Sequence, residues 1–427
     1  MVCMDTPELA PKLRHLSATD LRAAALLATQ ATHAVTSMVE GVHQSVWRTL
    51  GAPGGARQDQ ARGLTGLVYQ GIHGVSRLVG QGVAAALARL EPMLQRLEGQ
   101  GDESFERAAV IAALNGVMGD RLQASGNPLA TSMSLRLDGQ ALDWAKPPAP
   151  TQVTGKLLVV IHGLCMNDLQ WNAQVDGQAV NHAKTLAQKL GYTPVYVRYN
   201  SGLHVSENGQ LLATQLQDLM QRWPVPVTEL SVLAHSMGGL VMRSAVQTAQ
   251  VAGLPWLKPL KNIVFLGTPH HGSPLERAGN WVDVLLGSTP YSRPLAKLGQ
   301  LRSAGVTDLR YGLVLDSDWQ GHERFHRQPD GRTPVPLPQG VACFAVAATL
   351  AGKRSTLADR LIGDGLVPLH SALGQHDEPQ RCLHFAPANQ LLMYRTGHLQ
   401  LLSSLAVTQQ LLTWLDGALT LDSSVEH

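Results

Sequence analysis

The sequence predicts an α/β fold, in which helices cover both faces of a mostly parallel β-sheet. Short apolar runs of strand length alternate along the chain with segments of helical period, the order typical of parallel sheets. The chain of 427 residues is long enough for one large domain and an additional module. Hydrophobic residues make up 44% of it and charged residues 15%, a balance that suits a large buried core.

The predicted strands are runs of five to seven residues, either apolar throughout or alternating. They lie at residues 132–138, 156–161, 195–199, 230–234, 261–267 and 342–348. A helix is predicted at 207–223, and the proline-rich segment 147–150 is read as a stiff connector. We therefore expect residues 131–427 to form the sheet domain. At about 280–340 the alternation stops and Pro, Gly and Arg accumulate, which predicts a cap inserted over the site.

The first 130 residues follow a different pattern and predict an α-helical module. Apolar residues recur at helical spacing over 24–46 and 64–87, and a third helix is predicted at about 103–122. The stripes are rich in Ala, Val and Gly, which favours packing on the sheet domain or self-association into a homo-oligomer. Attachment to a membrane or lipid surface is the alternative. Nine Lys and Arg against seven Asp and Glu in the first hundred residues argue against capture by anionic lipid.

Composition and charge exclude several classes of function. The net charge of +2 comes with dispersed basic residues, so no nucleic-acid partner is expected. The four cysteines are scattered without metal-type spacing, which favours a reducing cytoplasm. The N-terminus lacks the apolar core of a secretory signal, and the longest uncharged apolar run, 341–352, is too short to span a bilayer. We expect a cytoplasmic protein that needs no cofactor and no metal.

The strongest local motif is the segment 230–239, L-S-V-L-A-H-S-M-G-G, which places Ser236 between a buried strand and a helix. This arrangement corresponds to the pattern G-x-S-x-G, with Ala234 in place of the first glycine. The backbone of such a turn is strained, so small residues must surround the serine. Ser236 is the predicted nucleophile.

A serine needs a base, an acid and an oxyanion hole to attack an acyl group at neutral pH. His398 lies in the segment Y-R-T-G-H and is the last plausible histidine before a C-terminal helix. Asp364 lies in a glycine-flanked turn, L-I-G-D-G-L-V-P, after the predicted strand 342–348. The backbone N–H groups of Leu164, after the strand 156–161, and of Met237, at the helix start, are the predicted oxyanion donors.

Taken together, these motifs resemble the α/β-hydrolase lipases and esterases over about residues 157–412. The H-G turn, A-H-S-M-G-G, F-L-G-T-P-H-H-G-S, G-D-G-L-V-P and the final G-H occur in the order of that family. The resemblance implies Ser236 as nucleophile, Asp364 as acid and His398 as base. Ala234 resembles a subset of small bacterial lipases, and a branch similar to the GPI-inositol deacylases is also compatible with the motifs.

The resemblance implies a serine hydrolase that cleaves carboxylic esters of small molecules or lipids through an acyl-enzyme. Two alternatives stay open. The same triad serves acyltransferases and thioesterases, which pass the acyl group to or from other acceptors. A non-catalytic protein that binds lipid or a partner through the helical module is the second alternative, against which the intact candidate triad argues.

Other histidines receive structural interpretations. His235 is expected to point away from the pocket, and His270 and His271 to form a pocket wall or fix a loop, with a role as base left open. His162 is expected to anchor the oxyanion loop by hydrogen bonding. An H-x-x-x-x-D acyltransferase motif would need aspartate where Asn167 stands, so that interpretation fails.

A polar cluster in the predicted cap offers two further alternatives. Asp316 and Asp318 compete with Asp364 for the role of triad acid, although both precede the expected sequence context. Two histidines four residues apart would face one metal if they lay on a helix. Solvated surface residues are the favoured interpretation of this cluster, which comprises Asp316, Asp318, His322, Glu323 and His326.

Overall fold

Ten strands are found in the part of the chain that the computed structural model describes, residues 105–175, 177–273, 302–321, 330–352 and 363–416. Eight of them form one sheet, and two form a small hairpin. The strands are β1 (Ser134–Leu137), β2 (Gln140–Ala141), β3 (Lys156–Ile161), β4 (Ala173–Val175), β5 (Gln178–Val180), β6 (Thr193–Arg198), β7 (Glu229–His235), β8 (Leu260–Leu266), β9 (Ala342–Thr349) and β10 (Gln390–Tyr394).

The spatial order of the large sheet is β2–β1–β6–β3–β7–β8–β9–β10. From β6 to β10 all neighbouring strands run parallel, and only β1 and β2 at one edge are antiparallel. The predicted strands are all present, with bounds shifted by at most two residues. Four strands were not predicted: β2, β10 and the two hairpin strands β4 and β5.

Seven α-helices accompany these strands in the described residues. They are α1 (Phe105–Ala124), α2 (His182–Leu190), α3 (Val205–Arg222), α4 (Met237–Ala252), α5 (Ala304–Tyr311), α6 (Leu369–Ala372) and α7 (Leu405–Leu415). The helix predicted at about 103–122 is α1, with a kink at Met118. None of the described helices is long and apolar enough to cross a membrane.

Strand β3 shows how helices come to cover both faces of the sheet. Its five apolar residues are completely buried, and they alternate between two separate hydrophobic clusters. Leu157, Val159 and Ile161 join the cluster that contains side chains of α3 and α4. Leu158 and Val160 join the cluster that contains side chains of α2 and α7. A mostly parallel sheet with helices on both faces is the α/β architecture that the sequence predicts.

Contacts between Cα atoms divide the chain into two units. One consists of Met1–Arg107 and Leu122–Ala130, and the other of Ala108–Arg121 and Thr131–His427. The helical stripes predicted at 24–46 and 64–87 lie outside the described residues, so the helical module 1–130 and its boundary remain predictions. The cap at about 280–340 is described only in part and also remains a prediction.

The carboxyl ends of the parallel strands meet at one edge of the sheet, which is where α/β folds bind their ligands. The predicted nucleophile follows β7, the predicted oxyanion loop follows β3, and the predicted acid and base follow β9 and β10. The topology therefore brings residues that are distant in sequence to a single edge.

Candidate active site

Ser236 is the single residue that connects β7 to α4, at a sharp turn. Its φ of 55° and ψ of −123° belong to a region that residues other than glycine rarely adopt. The Ser236 N–H donates to the carbonyl oxygen of Leu266 at 2.8 Å, which ties the turn to the end of β8. The strained strand-turn-helix predicted for this segment is present.

Small residues are required around this turn because other loops pack tightly against it. A Cβ on Gly238 would lie 2.6 Å from the carbonyl oxygen of His162, and a Cβ on Gly239 would lie 2.7 Å from Cγ2 of Thr268. A side chain at Gly238 would force the backbone of the neighbouring loop to move, and one at Gly239 would displace the buried side chain of Thr268. The two glycines after the serine are therefore explained by close approach rather than by unusual φ angles.

Asp364 and His398 come together as a buried pair. Nδ1 of His398 lies 2.7 Å from Oδ2 of Asp364, and each side chain is 1% exposed. The other carboxylate oxygen accepts from the backbone N–H of Leu366 at 2.9 Å and of Val367 at 2.7 Å. Two backbone donors thus fix the carboxylate and leave Oδ2 to accept the Nδ1–H of the imidazole.

Two contacts link this pair to Ser236. Gly267 follows the strand end that accepts the Ser236 N–H, and a Cβ there would lie 3.1 Å from Nδ1 and Cε1 of His398. His235, which precedes the serine, donates its Nε2–H to the carbonyl oxygen of His398 at 3.3 Å. Within the described residues the Ser236 hydroxyl is buried and makes no hydrogen bond.

The two predicted oxyanion donors flank the serine. A Cβ on Gly163 would lie 3.0 Å from Cβ of Ser236, so the loop that carries Leu164 packs directly on the nucleophile turn. The Leu164 N–H has no acceptor among the described residues. Met237 is the first residue of α4, and a helix supplies no acceptor for the N–H groups of its first turn. Neither N–H group thus has a hydrogen-bond acceptor among the described residues.

His162 holds the loop that carries Leu164. Its Nδ1–H donates to the carbonyl oxygen of Gly163 at 2.8 Å, and its Nε2 accepts the N–H of Tyr199 at 3.4 Å. The Tyr199 ring stacks on the imidazole at 4.3 Å, and its hydroxyl donates to the His162 carbonyl at 2.8 Å. Burial lowers the pKa of His162 to about 4, so the ring is neutral at pH 7. These contacts match the anchoring role expected for it.

The histidines on either side of the site are also buried. Burial lowers the pKa of His235 well below its usual value, as does the neighbouring His398. His270 is completely buried, and burial likewise lowers its pKa well below the usual range. Its ring packs against Phe265 and Phe385 at 4.9 and 5.5 Å. Asp364 contacts His398 and neither of these two rings, so the structure supports His398 as the histidine with a carboxylate partner.

The acids that compete with Asp364 have other partners. Both carboxylate oxygens of Asp318 accept backbone N–H groups, from Val314 at 3.1 Å and from Thr333 at 3.1 Å. Oδ2 of Asp316 accepts from the side chain of Gln210 at 2.8 Å. The remaining members of the predicted polar cluster, residues 322, 323 and 326, lie outside the described residues. Among the described side chains, no group of three or more His, Cys, Asp or Glu is arranged to hold a metal.

Two side chains at the site were missed by sequence reasoning. Tyr199 supports the oxyanion loop, and Thr268 packs beside Gly239 with its hydroxyl buried and unpartnered among the described residues. Their positions carried a usable signal, because each follows a parallel strand at the edge where ligands bind. No sequence pattern indicated that His235 would contact the carbonyl oxygen of His398.

Comparisons with known proteins leave the activity open. A family described as a domain of unknown function (DUF7379) matches residues 136–310, which is less than half of the chain. No curated protein matches the sequence. Neither result distinguishes the bacterial-lipase branch from the GPI-inositol-deacylase branch.

Several solved structures of hydrolases are similar to this chain at low identity and low TM-score. The mature lipase BlEst2 of Bacillus licheniformis is 19% identical with a TM-score of 0.39, over 66% of this chain and 97% of that one. A Pyrobaculum calidifontis esterase is 14% identical with a TM-score of 0.33, over 63% and 76%. The type II thioesterase YbtT of a yersiniabactin pathway is 16% identical with a TM-score of 0.37, over 64% and 97%. These values are too low to assign an activity or a substrate.

Proposed function

We propose that the protein is a serine hydrolase that cleaves carboxylic esters through an acyl-enzyme. Ser236 is the nucleophile, His398 the base, Asp364 the acid, and the N–H groups of Leu164 and Met237 form the oxyanion hole. The observation that carries the proposal is the buried His398–Asp364 pair beside a serine held at a φ of 55°. A histidine with a carboxylate partner and a strained serine are the two parts that such a mechanism requires.

In the first half of the reaction, Oγ of Ser236 attacks the acyl carbon while Nε2 of His398 takes the hydroxyl proton. Nδ1–H remains bonded to Oδ2 of Asp364, and the carboxylate stabilises the positive charge on the ring. The oxyanion accepts hydrogen bonds from Leu164 and Met237 N–H. The imidazolium then protonates the departing alcohol oxygen, which leaves the acyl group on Ser236.

In the second half, a water molecule replaces the alcohol and the same groups act again. His398 takes a proton from the water, the new oxyanion occupies the same two N–H groups, and Ser236 leaves as the hydroxyl. The Ser236 hydroxyl must turn toward Nε2 for either half, because it makes no hydrogen bond among the described residues. Such contacts are often long in a free enzyme and shorten when substrate binds.

The substrate class follows from apolar residues beside the reacting groups. Leu164, Met237, Leu366 and Val367 are completely buried around the serine and the acid. Apolar pockets discriminate by about 1–3 kcal/mol per methylene at most. We therefore propose a tolerant enzyme that prefers short-to-medium acyl esters and cleaves peptide amides poorly.

The test is labelling with a fluorophosphonate, which phosphonylates an activated serine, followed by assay on p-nitrophenyl esters of increasing chain length. Labelling is expected on Ser236, and Ser236→Ala should abolish both labelling and ester hydrolysis. Ser403→Ala is the matched control, because Ser403 follows the base closely in the sequence and, among the described residues, its hydroxyl donates to Gln400 O at 3.4 Å. More than a few per cent of activity in purified Ser236→Ala would reject the assignment.

A further inference from the structure

A small open cavity lies on the loop that follows β8. Two of its lining residues, Thr333 and Pro334, are exposed. Three arginines and one aspartate are among its lining residues, together with two histidines of the β8 loop. We call it the Arg243 cavity, after the arginine of α4 that forms its inner wall.

Arg243 is a buried cation that forms no ion pair with the described residues, although the negative charge of Asp318 acts on it from a greater distance. The residue is 7% exposed, and its hydrogen bonds go to two carbonyl oxygens, Val335 at 2.6 Å and His270 at 3.5 Å. Among the described residues it makes no ion pair, and its Nε has no partner. Burial lowers the pKa of Arg243 to about 10, which leaves it charged at neutral pH. A charge buried in this way is costly unless a partner compensates it.

The acidic residues near Arg243 already bind other groups. Asp330 binds Arg332 through both oxygens, at 2.8 and 2.6 Å, and also lies 3.3 Å from Arg381. Arg381 has a second carboxylate partner, Glu378 at 2.9 Å. Asp318, the acid that lines the cavity, uses its oxygens to accept backbone N–H groups. Arg332 and Arg381 are thus paired, and Arg243 is the cation left over.

Two histidines of the β8 loop also have buried polar atoms without a hydrogen-bond partner among the described residues. Both ring nitrogens of His270 and Nε2 of His271 are buried and have no hydrogen-bond partner among the described residues. Both histidines line the cavity with Arg243. Buried polar atoms are nearly always hydrogen-bonded in folded proteins, so a cluster of unpartnered donors beside an open cavity indicates a ligand. A neutral His270 carries one ring N–H that can donate.

We propose that the Arg243 cavity binds a small oxyanion, a carboxylate or a phosphate group, which accepts from Nε of Arg243 and from a ring N–H of His270. Charge-assisted hydrogen bonds from a guanidinium are the strongest means by which proteins hold such groups. The site is separate from the proposed ester hydrolysis, and its occupancy can be measured without any substrate.

The test is thermal unfolding of the full chain in sodium phosphate and in sodium acetate, each titrated at constant ionic strength against sodium chloride. A saturable rise in Tm is expected, of about 2–4 °C at ten times the half-saturating concentration. The anion that half-saturates at the lower concentration identifies the source, phosphate or carboxylate. No saturable rise with either anion, or the same rise with chloride, would overturn the proposal.

A matched pair of variants at the mouth keeps the buried wall intact. Thr333→Glu places a carboxylate of the chain in the cavity, so it should raise Tm without added anion and abolish the response to it. Thr333→Gln has a similar size without charge and should respond like the wild type. Arg243→Gln should also lose the response, whereas Arg198→Gln, which removes a buried arginine paired with Asp168, should keep it. An equal response in all four variants would place the anion elsewhere and refute the proposal.

Discussion

Among the described residues, two buried or partly buried histidine–aspartate pairs have similar geometry, and only one of them adjoins the proposed nucleophile Ser236. In the inner pair, His398 Nδ1 and Asp364 Oδ2 are 2.7 Å apart and each side chain is 1% exposed. In the outer pair, His204 Nδ1 and Asp308 Oδ1 are 3.0 Å apart, with exposures of 15% and 1%. A buried carboxylate that orients an imidazole is therefore not sufficient to indicate an active site.

The surroundings of the two pairs explain the difference. Oδ2 of Asp308 accepts the N–H of Val205 at 2.7 Å, so this carboxylate satisfies the first turn of α3. The His204 ring stacks on Trp319 at 3.7 Å and nearly parallel, which covers one face of the imidazole. The outer pair thus joins α5 to the start of α3. The inner pair instead adjoins a strained turn and two unpartnered backbone N–H groups.

The largest difference is expected from alanine at each histidine. His398→Ala should lower kcat/KM for p-nitrophenyl esters by about 10⁴–10⁶-fold, close to the effect of Ser236→Ala, because triad members act as a unit. His204→Ala should leave kcat/KM within about threefold and lower the free energy of unfolding by about 1–3 kcal/mol, through the lost hydrogen bond to Asp308.

Initial rates and urea unfolding of both purified variants check this prediction. Circular dichroism controls for the fold of His398→Ala, in which stability should change little compared with activity. A loss of activity of equal size in the two variants would remove the distinction between the pairs.

The next largest difference is expected at the carboxylates. Asp364→Asn keeps an acceptor for the backbone donors Leu366 and Val367 but weakens the orientation of the imidazole, so kcat should fall by about 10³–10⁴-fold. Asp308→Asn should cost about 1–2 kcal/mol of stability and no comparable activity. The same kinetic and unfolding measurements apply. If Asp364→Asn kept full activity while Asp316→Asn or Asp318→Asn lost it, the assignment of Asp364 as the acid would be wrong.

His162 is a third kind of histidine, buried among backbone groups and a tyrosine. It is expected to make the stability of the protein depend on pH. Burial lowers the pKa of His162 from 6.5 to about 4, so the unfolded chain binds more protons than the folded chain between these values. The stability that the neutral ring contributes is therefore complete about one pH unit above 6.5 and falls as the pH drops. For this one residue the loss between pH 7.5 and pH 5 is about 2 kcal/mol.

The test compares the wild type with His162→Asn, whose side-chain amide can still donate to the Gly163 carbonyl. The variant should be less stable at pH 7.5 but should lose about 2 kcal/mol less on acidification. Urea midpoints at pH 7.5, 6.5 and 5.0 measure the slopes. Equal slopes in the two proteins would mean that His162 titrates normally in the folded state.

The sequence predicted the turn at Ser236 because every feature that produces it is local. The buried strand, the serine and the two glycines lie within ten consecutive residues, and each has a separate physical reason. The fold was predictable for the same reason, since apolar runs on a sheet buried on both faces are recognisable one at a time. Strand β10 was missed because it lies at a sheet edge and its residues are only partly buried.

The outer pair and the Arg243 cavity could not be predicted from the sequence. His204 and Asp308 are 104 residues apart, and each looks like an ordinary surface residue in its own segment. The missing partner of Arg243 becomes visible only when Asp330 is seen to bind other arginines. Such pairings depend on which loops lie next to each other in the folded protein. The spacing of residues along the sequence does not indicate them.

The smallest effect is expected at Trp319, which packs on the outer pair and also makes a hydrogen bond of its own. Its Nε1–H donates to the hydroxyl of Ser206 at 2.9 Å, while its ring stacks on His204. Trp319→Phe keeps an aromatic ring on the imidazole and removes the hydrogen bond, so the free energy of unfolding should fall by about 0.5–1.5 kcal/mol. Ester hydrolysis should be unchanged.

A double-mutant cycle separates this bond from the stacking. Ser206→Ala should cost about as much as Trp319→Phe, and the double variant should cost clearly less than the sum, because both substitutions remove one shared interaction. Urea unfolding of the four proteins supplies the values. Additive losses would show that the bond contributes nothing measurable. The stability of the outer pair would then come from the stacked rings and from the bond of Asp308 to the start of α3.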